Sequence, residues 1–220
     1  RMGAVLAHSS FFCYLIYMKK ILITAFEPFG GERINPAQAV LERLPEAISG
    51  AALYRSVLPV SYRKSAVLLL EQIERVRPDA VVMLGQAGGR AKITPERIAV
   101  NLDHCEARDN DGEQRIDSVI DPEGPAAYFS TLPVHAMLQE MRKCEVGCAM
   151  SASAGAFVCN HVSYEALHYI SRMGYGIPAG FIHLPYLPEQ AEGKPGAASM
   201  PLSAMVHAVQ AALAAIADSF

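Results

Sequence analysis

Three side chains set far apart in this chain could perform thiol chemistry together: Cys159, His183 and Glu96. A thiol becomes an effective nucleophile when an imidazole takes its proton and a carboxylate fixes the tautomer of that imidazole. Cys159 lies in Ser151-Ala-Ser-Ala-Gly-Ala-Phe-Val-Cys-Asn-His161, where small residues and Gly155 lead into helical spacing through Val162, Ala166, Leu167 and Ile170. The apolar run from Val146 to Ala152 reads as a buried strand, so Cys159 is expected near a strand-to-helix junction. A helix N-terminus gathers free N–H groups and the positive end of the helix dipole, and both favour a thiolate.

His183 ends the strand pattern Pro178 to His183, and in an open parallel sheet that exit is where sites form. The competing reading is a core histidine satisfied by a carbonyl. Glu96 stands in Thr94-Pro-Glu-Arg97 beside an apolar run, and its competing reading is a surface acid paired with Arg97. His161 is a rival base, two residues from Cys159, but positions i and i+2 of a helix face different sides. Gly85-Gln-Ala-Gly-Gly-Arg90 follows the apolar run Ala80 to Leu84. It is neither a Walker loop nor a dinucleotide fingerprint. With the N–H groups around Cys159 it could form an oxyanion hole. The set amounts to acyl-transfer chemistry, most simply hydrolysis of an amide.

The elements that must position these groups alternate along the chain. Lys20 to Ala25, Ala51 to Val60, Ala80 to Leu84 and Pro178 to His183 read as strands. Helices are expected from Asn35-Pro36 to about Leu44, over Tyr62–Val76, over Leu132–Lys143, after Cys159, and over Leu202–Ile216. Phe26-Glu-Pro-Phe-Gly-Gly31 is a loop with two phenylalanines. Asp103 to Glu123 is a long polar excursion, and residues 187 to 199, rich in Pro and Gly, are expected to be mobile. The alternation predicts an α/β fold, a three-layer α/β/α sandwich with a mostly parallel or mixed central sheet.

Composition narrows the function. The chain has 220 residues, half of them apolar, and a formal net charge of −3 with no basic block, which argues against a nucleic-acid partner. Five cysteines in a chain of this size favour a reducing compartment. Cys144 and Cys148 lack further metal-ligand neighbours and read as buried thiols, so no metal site is expected. Residues 1–17 are apolar and aromatic. They make a poor signal peptide and a run too short to span a membrane, which needs roughly 20 apolar residues. They read as an upstream extension outside a domain of residues 18–220.

Four stretches carry a resemblance: Phe26-Glu-Pro-Phe-Gly-Gly31, Gly85-Gln-Ala-Gly-Gly-Arg90 with Ile93-Thr-Pro-Glu-Arg97, Gly155-Ala-Phe-Val-Cys-Asn-His161, and Gly180-Phe-Ile-His-Leu-Pro-Tyr186. In order and spacing they resemble the pyroglutamyl peptidase I (pyrrolidone-carboxylate peptidase) family in its bacterial form. The resemblance implies a cytoplasmic cysteine peptidase that removes an N-terminal pyroglutamyl residue from peptides, without metal or cofactor and often as a homotetramer. It implies Cys159 as nucleophile, His183 as base and acid, and Glu96 as orienting acid. It also implies that Phe26, Phe29, Gln86, Phe157 and Val158 form the substrate slot, with Arg90 assisting the oxyanion. The sequence departs from the family at Ala156, where Thr is usual, and at Ala107-Arg108-Asp109-Asn110, which lacks an Ile-Pro pair. Two other readings compete, a nucleoside-phosphorylase-like enzyme on a related scaffold and a silent binder of pyroglutamyl peptides. The first lacks a convergent set of Arg and Ser for phosphate, and the second leaves the Cys-His-Glu set without a purpose.

Overall fold

The structure is a computed structural model that describes residues 18–220, so the reading of residues 1–17 falls outside it. Strand β1 (Lys19–Phe26) is buried from Ile21 to Phe26 and apolar there except for Thr24, because that part is covered on both faces. Ile21, Ile23 and Ala25 point to one side and Leu22 and Phe26 to the other, the period-2 alternation of a pleated strand. Its sheet runs in the order β2-β3-β1-β4-β8-β5. β3 (Ala51–Leu58), β4 (Ala80–Gln86) and β8 (Ala179–Leu184) are parallel with β1, while β2 (Ala47–Ile48) and β5 (Thr94–Pro95) are short antiparallel edges.

One face is covered by α1 (Pro36–Leu41), α3 (Val134–Lys143) and α6 (Leu202–Ala217), and the other by α2 (Ser65–Val76) and α4 (Val158–Met173). The expected three-layer α/β/α architecture is therefore the observed one. A two-stranded ladder of β6 (Ile98–Val100) and β7 (Ala127–Phe129) stands apart from the main sheet. Among the described residues no helix is long and apolar enough to cross a membrane.

The chain steps outward from β1 to β3, then back across β1 to β4 and β8. The C-terminal ends of β1 and β4 therefore flank the point where the winding direction reverses, the crevice that open α/β sheets use for ligands. Phe26 ends β1 at that crevice and Gln86 ends β4. Asn35 starts α1 by accepting the Ala37 N–H at 2.9 Å, with Pro36 in the first turn.

Two expectations are corrected. Val146 to Ala152 is not a buried strand. It makes isolated bridges, Ile93 with Cys148 and Glu96 with Ser151, and Gly147, Met150 and Ala152 are exposed. The run lies beyond the edge strand β5, and its Gly and Ala residues gain little from burial. Residues 187–199, expected to be mobile, contain α5 (Pro188–Ala191), which the buried Gln190 side chain anchors to the body of the protein. The long polar excursion is held by its own carboxylates: Asp109 accepts N–H groups of Tyr62, Asp111 and Glu113. Asn110 then donates to Glu27 Oε1 and Pro28 O, which ties this loop to the phenylalanine loop after β1.

Candidate active site

Strand parity brings the chemistry together. On β8, Ala179 and Phe181 face α4, and His183 continues that side past the core. On β4, Val81 and Met83 face the same layer, and Gly85 is the next position on that face, in register with His183. Cys159 stands in the first turn of α4, above this corner. A Cβ on Gly85 would stand 3.0 Å from Cys159 Sγ and 2.6 Å from Phe181 Cζ, so only glycine leaves room for the sulfur there. The His183 ring packs on Phe181 at 4.7 Å between centroids.

β5 delivers the carboxylate. Thr94 pairs with His183 across the antiparallel edge, and Glu96, two residues on, returns to the same side as a diagonal neighbour. Its backbone N–H donates to Phe181 O at 2.9 Å. The side chain is 2% exposed and accepts from His183 Nδ1 at 2.7 Å. The surface ion pair with Arg97 is absent, because Arg97 donates to Ser130 O and lies over the Phe129 ring. Arg90 takes that place. Its guanidinium donates to Glu96 Oε1 at 2.5 Å, to Thr94 Oγ1 at 2.6 Å and to Ser153 O at 2.9 Å.

Burial opposes the charge on Glu96, yet the hydrogen bonds from His183 and Arg90 help to outweigh it and hold the carboxyl below its ordinary range. Burial is the main influence on His183 and holds the imidazole below its usual value, with Glu96 pulling the other way. At neutral pH the pair is a carboxylate beside a neutral imidazole. Nδ1–H donates to Glu96, so Nε2 is left as the acceptor. The thiol departs from expectation. Burial and the Glu96 charge push Cys159 up to about 12, against the opposing pull of Arg90. The ring's hydrogen-bond partner is Glu96, and among the described residues no hydrogen bond joins it to Cys159 Sγ. The N-cap of α4 is Phe157, which offers no side-chain acceptor, so first-turn N–H groups beside the thiol stay open.

The five expected slot residues meet. Phe26, Phe29, Gln86, Phe157 and Val158 line one narrow slot with Cys159, and Asn35 and Val60 complete it. No charged side chain lines it. Phe157 is braced by Phe29 at 6.2 Å and edge-on by Tyr62 at 5.6 Å. Sequence reasoning passed over Asn35 and Val60. Asn35 was visible only as a helix cap, and Val60 only as the end of a strand. A roomier groove lined by Tyr128, Phe129, Thr131 and Pro178 lies at the opposite end of β8. It is lined by no cysteine and no acid–base pair.

The rival His161 is turned away. Its Nδ1 bonds Asp103 Oδ2 at 2.9 Å, and Arg115 holds the same oxygen at 2.8 Å. Cys144 and Cys148 are free thiols, and among the described residues no cluster of His, Cys, Asp and Glu could hold a metal.

Comparisons with known proteins identify the family of the whole chain. The pyroglutamyl peptidase family profile matches residues 19–219. A pyrrolidone-carboxylate peptidase of Thermoanaerobacter sp. (strain X514) is 48% identical over 198 residues, covering 90% of this chain and 98% of the relative. One from Streptococcus suis (strain 05ZYH33) is 45% identical over 199 residues, covering 90% and 93%. The crystal structure of pyroglutamyl peptidase I from Bacillus amyloliquefaciens superposes with a TM-score of 0.87 at 40% identity, covering 91% of this chain and 95% of that one. Pyrrolidone carboxyl peptidase from Thermococcus litoralis gives 0.87 at 40% identity, covering 91% and 94%. A profile match from the first strand to the last helix, relatives at this identity and a shared fold together make this chain a member of the pyroglutamyl peptidase family, and so an enzyme of the peptidase class.

Proposed function

We propose that this enzyme hydrolyses the amide bond after an N-terminal pyroglutamyl residue, with Cys159 as nucleophile, His183 as base and then acid, and Glu96 as orienting acid. The observation that carries the reading is the 2.7 Å bond from His183 Nδ1–H to a buried carboxylate, on the strand face that Cys159 overlooks. That bond leaves Nε2 free to receive the thiol proton.

The steps follow from the groups present. Cys159 Sγ attacks the scissile carbonyl carbon as its proton passes to His183 Nε2. The carbonyl oxygen becomes an oxyanion beside the uncapped N–H groups of the α4 first turn. The imidazolium returns the proton to the departing amine, the C–N bond breaks, and a thioester of pyroglutamate remains. Water, deprotonated by His183, cleaves the thioester to free pyroglutamate and restores the thiol. Glu96 stabilises the imidazolium in both halves. Arg90 was read from the sequence as an oxyanion contact. Its bonds to Glu96, Thr94 and Ser153 favour a different task, holding the carboxylate in place.

The slot explains the choice of substrate. A pyroglutamyl ring is small, flat and uncharged, and suits apolar walls with a few placed polar groups. Free glutamate would have to bury an unpaired carboxylate among Phe26, Phe29 and Phe157, which is costly. On the family resemblance we also propose a cytoplasmic homotetramer, whose assembly sedimentation velocity measures. The activity is tested with a pyroglutamyl amide of a fluorescent amine, a prolyl amide control and the Cys159→Ser variant. Turnover of the pyroglutamyl compound alone, lost in the variant, is the expected result. Turnover that survives Cys159→Ser would overturn the assignment.

A further inference from the structure

Asn160 follows the nucleophile in the first turn of α4, and no step of the proposed reaction uses it. An asparagine is an unfavourable choice inside a helix, because its side chain competes for backbone hydrogen bonds. Here it is 0% exposed and bonds to a different segment of the chain. The Val100 N–H donates to Asn160 Oδ1 at 2.9 Å. Asn160 Nδ2 donates in return to Val100 O at 2.9 Å and to Leu102 O at 3.0 Å. A backbone N–H can only donate and a carbonyl can only accept, so the amide has one orientation, with its acceptor and both its donors engaged. A carboxylate would lack the donors, and an aliphatic side chain would lack all three bonds. Two further contacts reinforce the link. The His104 N–H donates to Ala156 O at 2.8 Å, and Asp103 Oδ2 meets His161 Nδ1 at 2.9 Å.

The segment that receives Asn160 is the one that carries Glu96. Its start is fixed to β8: Thr94 pairs with His183, Pro95 with Ile182, and the Glu96 N–H donates to Phe181 O at 2.9 Å. Its end, from Val100 to His104, holds Ala156, Asn160 and His161. One piece of chain, Thr94–His104, therefore ties the strand of His183 to the helix of Cys159. The other forces on α4 differ in kind. Val158, Val162, Ala166 and Ile170 pack in the apolar layer against the sheet, and such burial sets no direction. It tolerates a slide of the helix along its axis that hydrogen bonds resist. We infer that Asn160 is a positioning residue: by locking the first turn of α4 to Thr94–His104, it sets Cys159 Sγ against His183 so that the proton can pass between them. The inference rests on the roles proposed above for Cys159 and His183.

The test compares Asn160→Ala with Tyr164→Phe, which removes another tether of α4, from the Tyr164 hydroxyl to Pro125 O at 2.8 Å. Thermal melting is recorded for every variant, and kinetics on the pyroglutamyl amide are run well below the lowest midpoint. Asn160→Ala should lower kcat about 10- to 100-fold, the cost of displacing a reacting atom by up to about 1 Å. Tyr164→Phe should stay within about twofold of native, because its tether lies beyond the first turn. Asn160→Ser, whose hydroxyl can keep one of the three bonds, should fall between native and Asn160→Ala, and it carries the test if the alanine variant does not fold. Alkylation of Cys159 by iodoacetamide at pH 7.5, read by mass spectrometry of its peptide, separates positioning from loosening. A sulfur drawn away from its base should react about tenfold more slowly, whereas a sulfur merely uncovered by a looser fold would react faster. Slower alkylation together with lost turnover is the expected result. Faster alkylation, a kcat within about threefold of native, or an equal loss in Tyr164→Phe would overturn the inference and leave the peptidase reading in place. No turnover by the native enzyme would overturn that reading, and the alkylation rates would still decide the inference.

Discussion

Glu96→Gln tests the electrostatic core of the proposed mechanism with little change of shape. Glu96 Oε1 receives His183 Nδ1–H at 2.7 Å and Arg90 at 2.5 Å, and an amide oxygen can stand in the same place and accept both. The new NH₂ would occupy the position of Oε2, a buried atom without a hydrogen-bond partner. The histidine tautomer therefore survives and the charge is what disappears. Attack converts His183 to an imidazolium, which in the variant faces the Arg90 cation with no carboxylate between them. Two unit charges about 4 Å apart at an effective permittivity near 20 interact by about 4 kcal/mol. Most of that is lost, so kcat should fall about 10²- to 10³-fold. The pH profile supplies an independent sign. Glu96 raises the His183 value and burial lowers it, so removing the carboxylate moves the acid limb of kcat/KM to lower pH. Steady-state release of a fluorescent amine from its pyroglutamyl amide, measured from pH 4.5 to 9, reads both quantities. A fall of less than about fivefold, or an acid limb displaced upward, would refute the reasoning.

The other expectations address the same corner. Arg90→Met removes a charge that lowers the His183 value, so its acid limb should move to higher pH, opposite in sign to Glu96→Gln, with kcat reduced about tenfold. Gly85→Ala sets a methyl 3.0 Å from Sγ and 2.6 Å from Phe181; it should lower kcat at least tenfold and cost about 1–3 kcal/mol in urea unfolding. His183 titrates below its unfolded value, so its contribution to stability is complete above about pH 6.5 and is lost as pH falls through the folded value. Urea midpoints should therefore fall from pH 7.5 to 5.5, with Glu96, also held low, adding its loss only below about pH 4.5. Alkylation of Cys159 by iodoacetamide, followed by loss of activity, should keep accelerating up to about pH 9 and beyond, since the thiol is pushed up to about 12. A plateau reached near pH 6 would reveal a preformed thiolate.

Much of this site was legible because local patterns decide it. Continuous apolar runs identified β1, β4 and β8, and the last of these carried His183 to a strand exit. Period-2 parity, once the register is known, explains why His183 and Gly85 face α4 and why Gln86 faces α5. Other features depend on contacts distant in sequence. Nothing local predicts that Arg90 rather than Arg97 reaches Glu96, since both flank the carboxylate and only the antiparallel pairing of Thr94 with His183 separates them. Gln190 lay in a stretch whose Pro and Gly content suggested mobility, and its partners Ile34 and Gln86 are 156 and 104 residues away. The run at 146–152 misled because apolar composition measures the capacity for burial, not whether a neighbour covers the second face.

The neutral thiol bears on how the site works. A helix N-terminus argues for a thiolate at Cys159, yet Glu96 sits close enough for its negative charge to oppose one, and the buried sulfur has few groups to replace its hydration. The same carboxylate favours the imidazolium of His183. In the proposed mechanism, transfer of the proton from sulfur to imidazole therefore moves positive charge toward Glu96 and negative charge toward the α4 N-terminus, which separates the two along the field of the site. Both ends of that separation are prepared in advance, the carboxylate by Arg90 and the helix end by an N-cap, Phe157, that has no side-chain acceptor to occupy its N–H groups. Those N–H groups do most once the charge has left sulfur for the carbonyl oxygen, and an interaction stronger in the transition state than before it is the kind that raises kcat. A neutral pair beforehand thus leaves the site's electrostatics to act on the reaction itself.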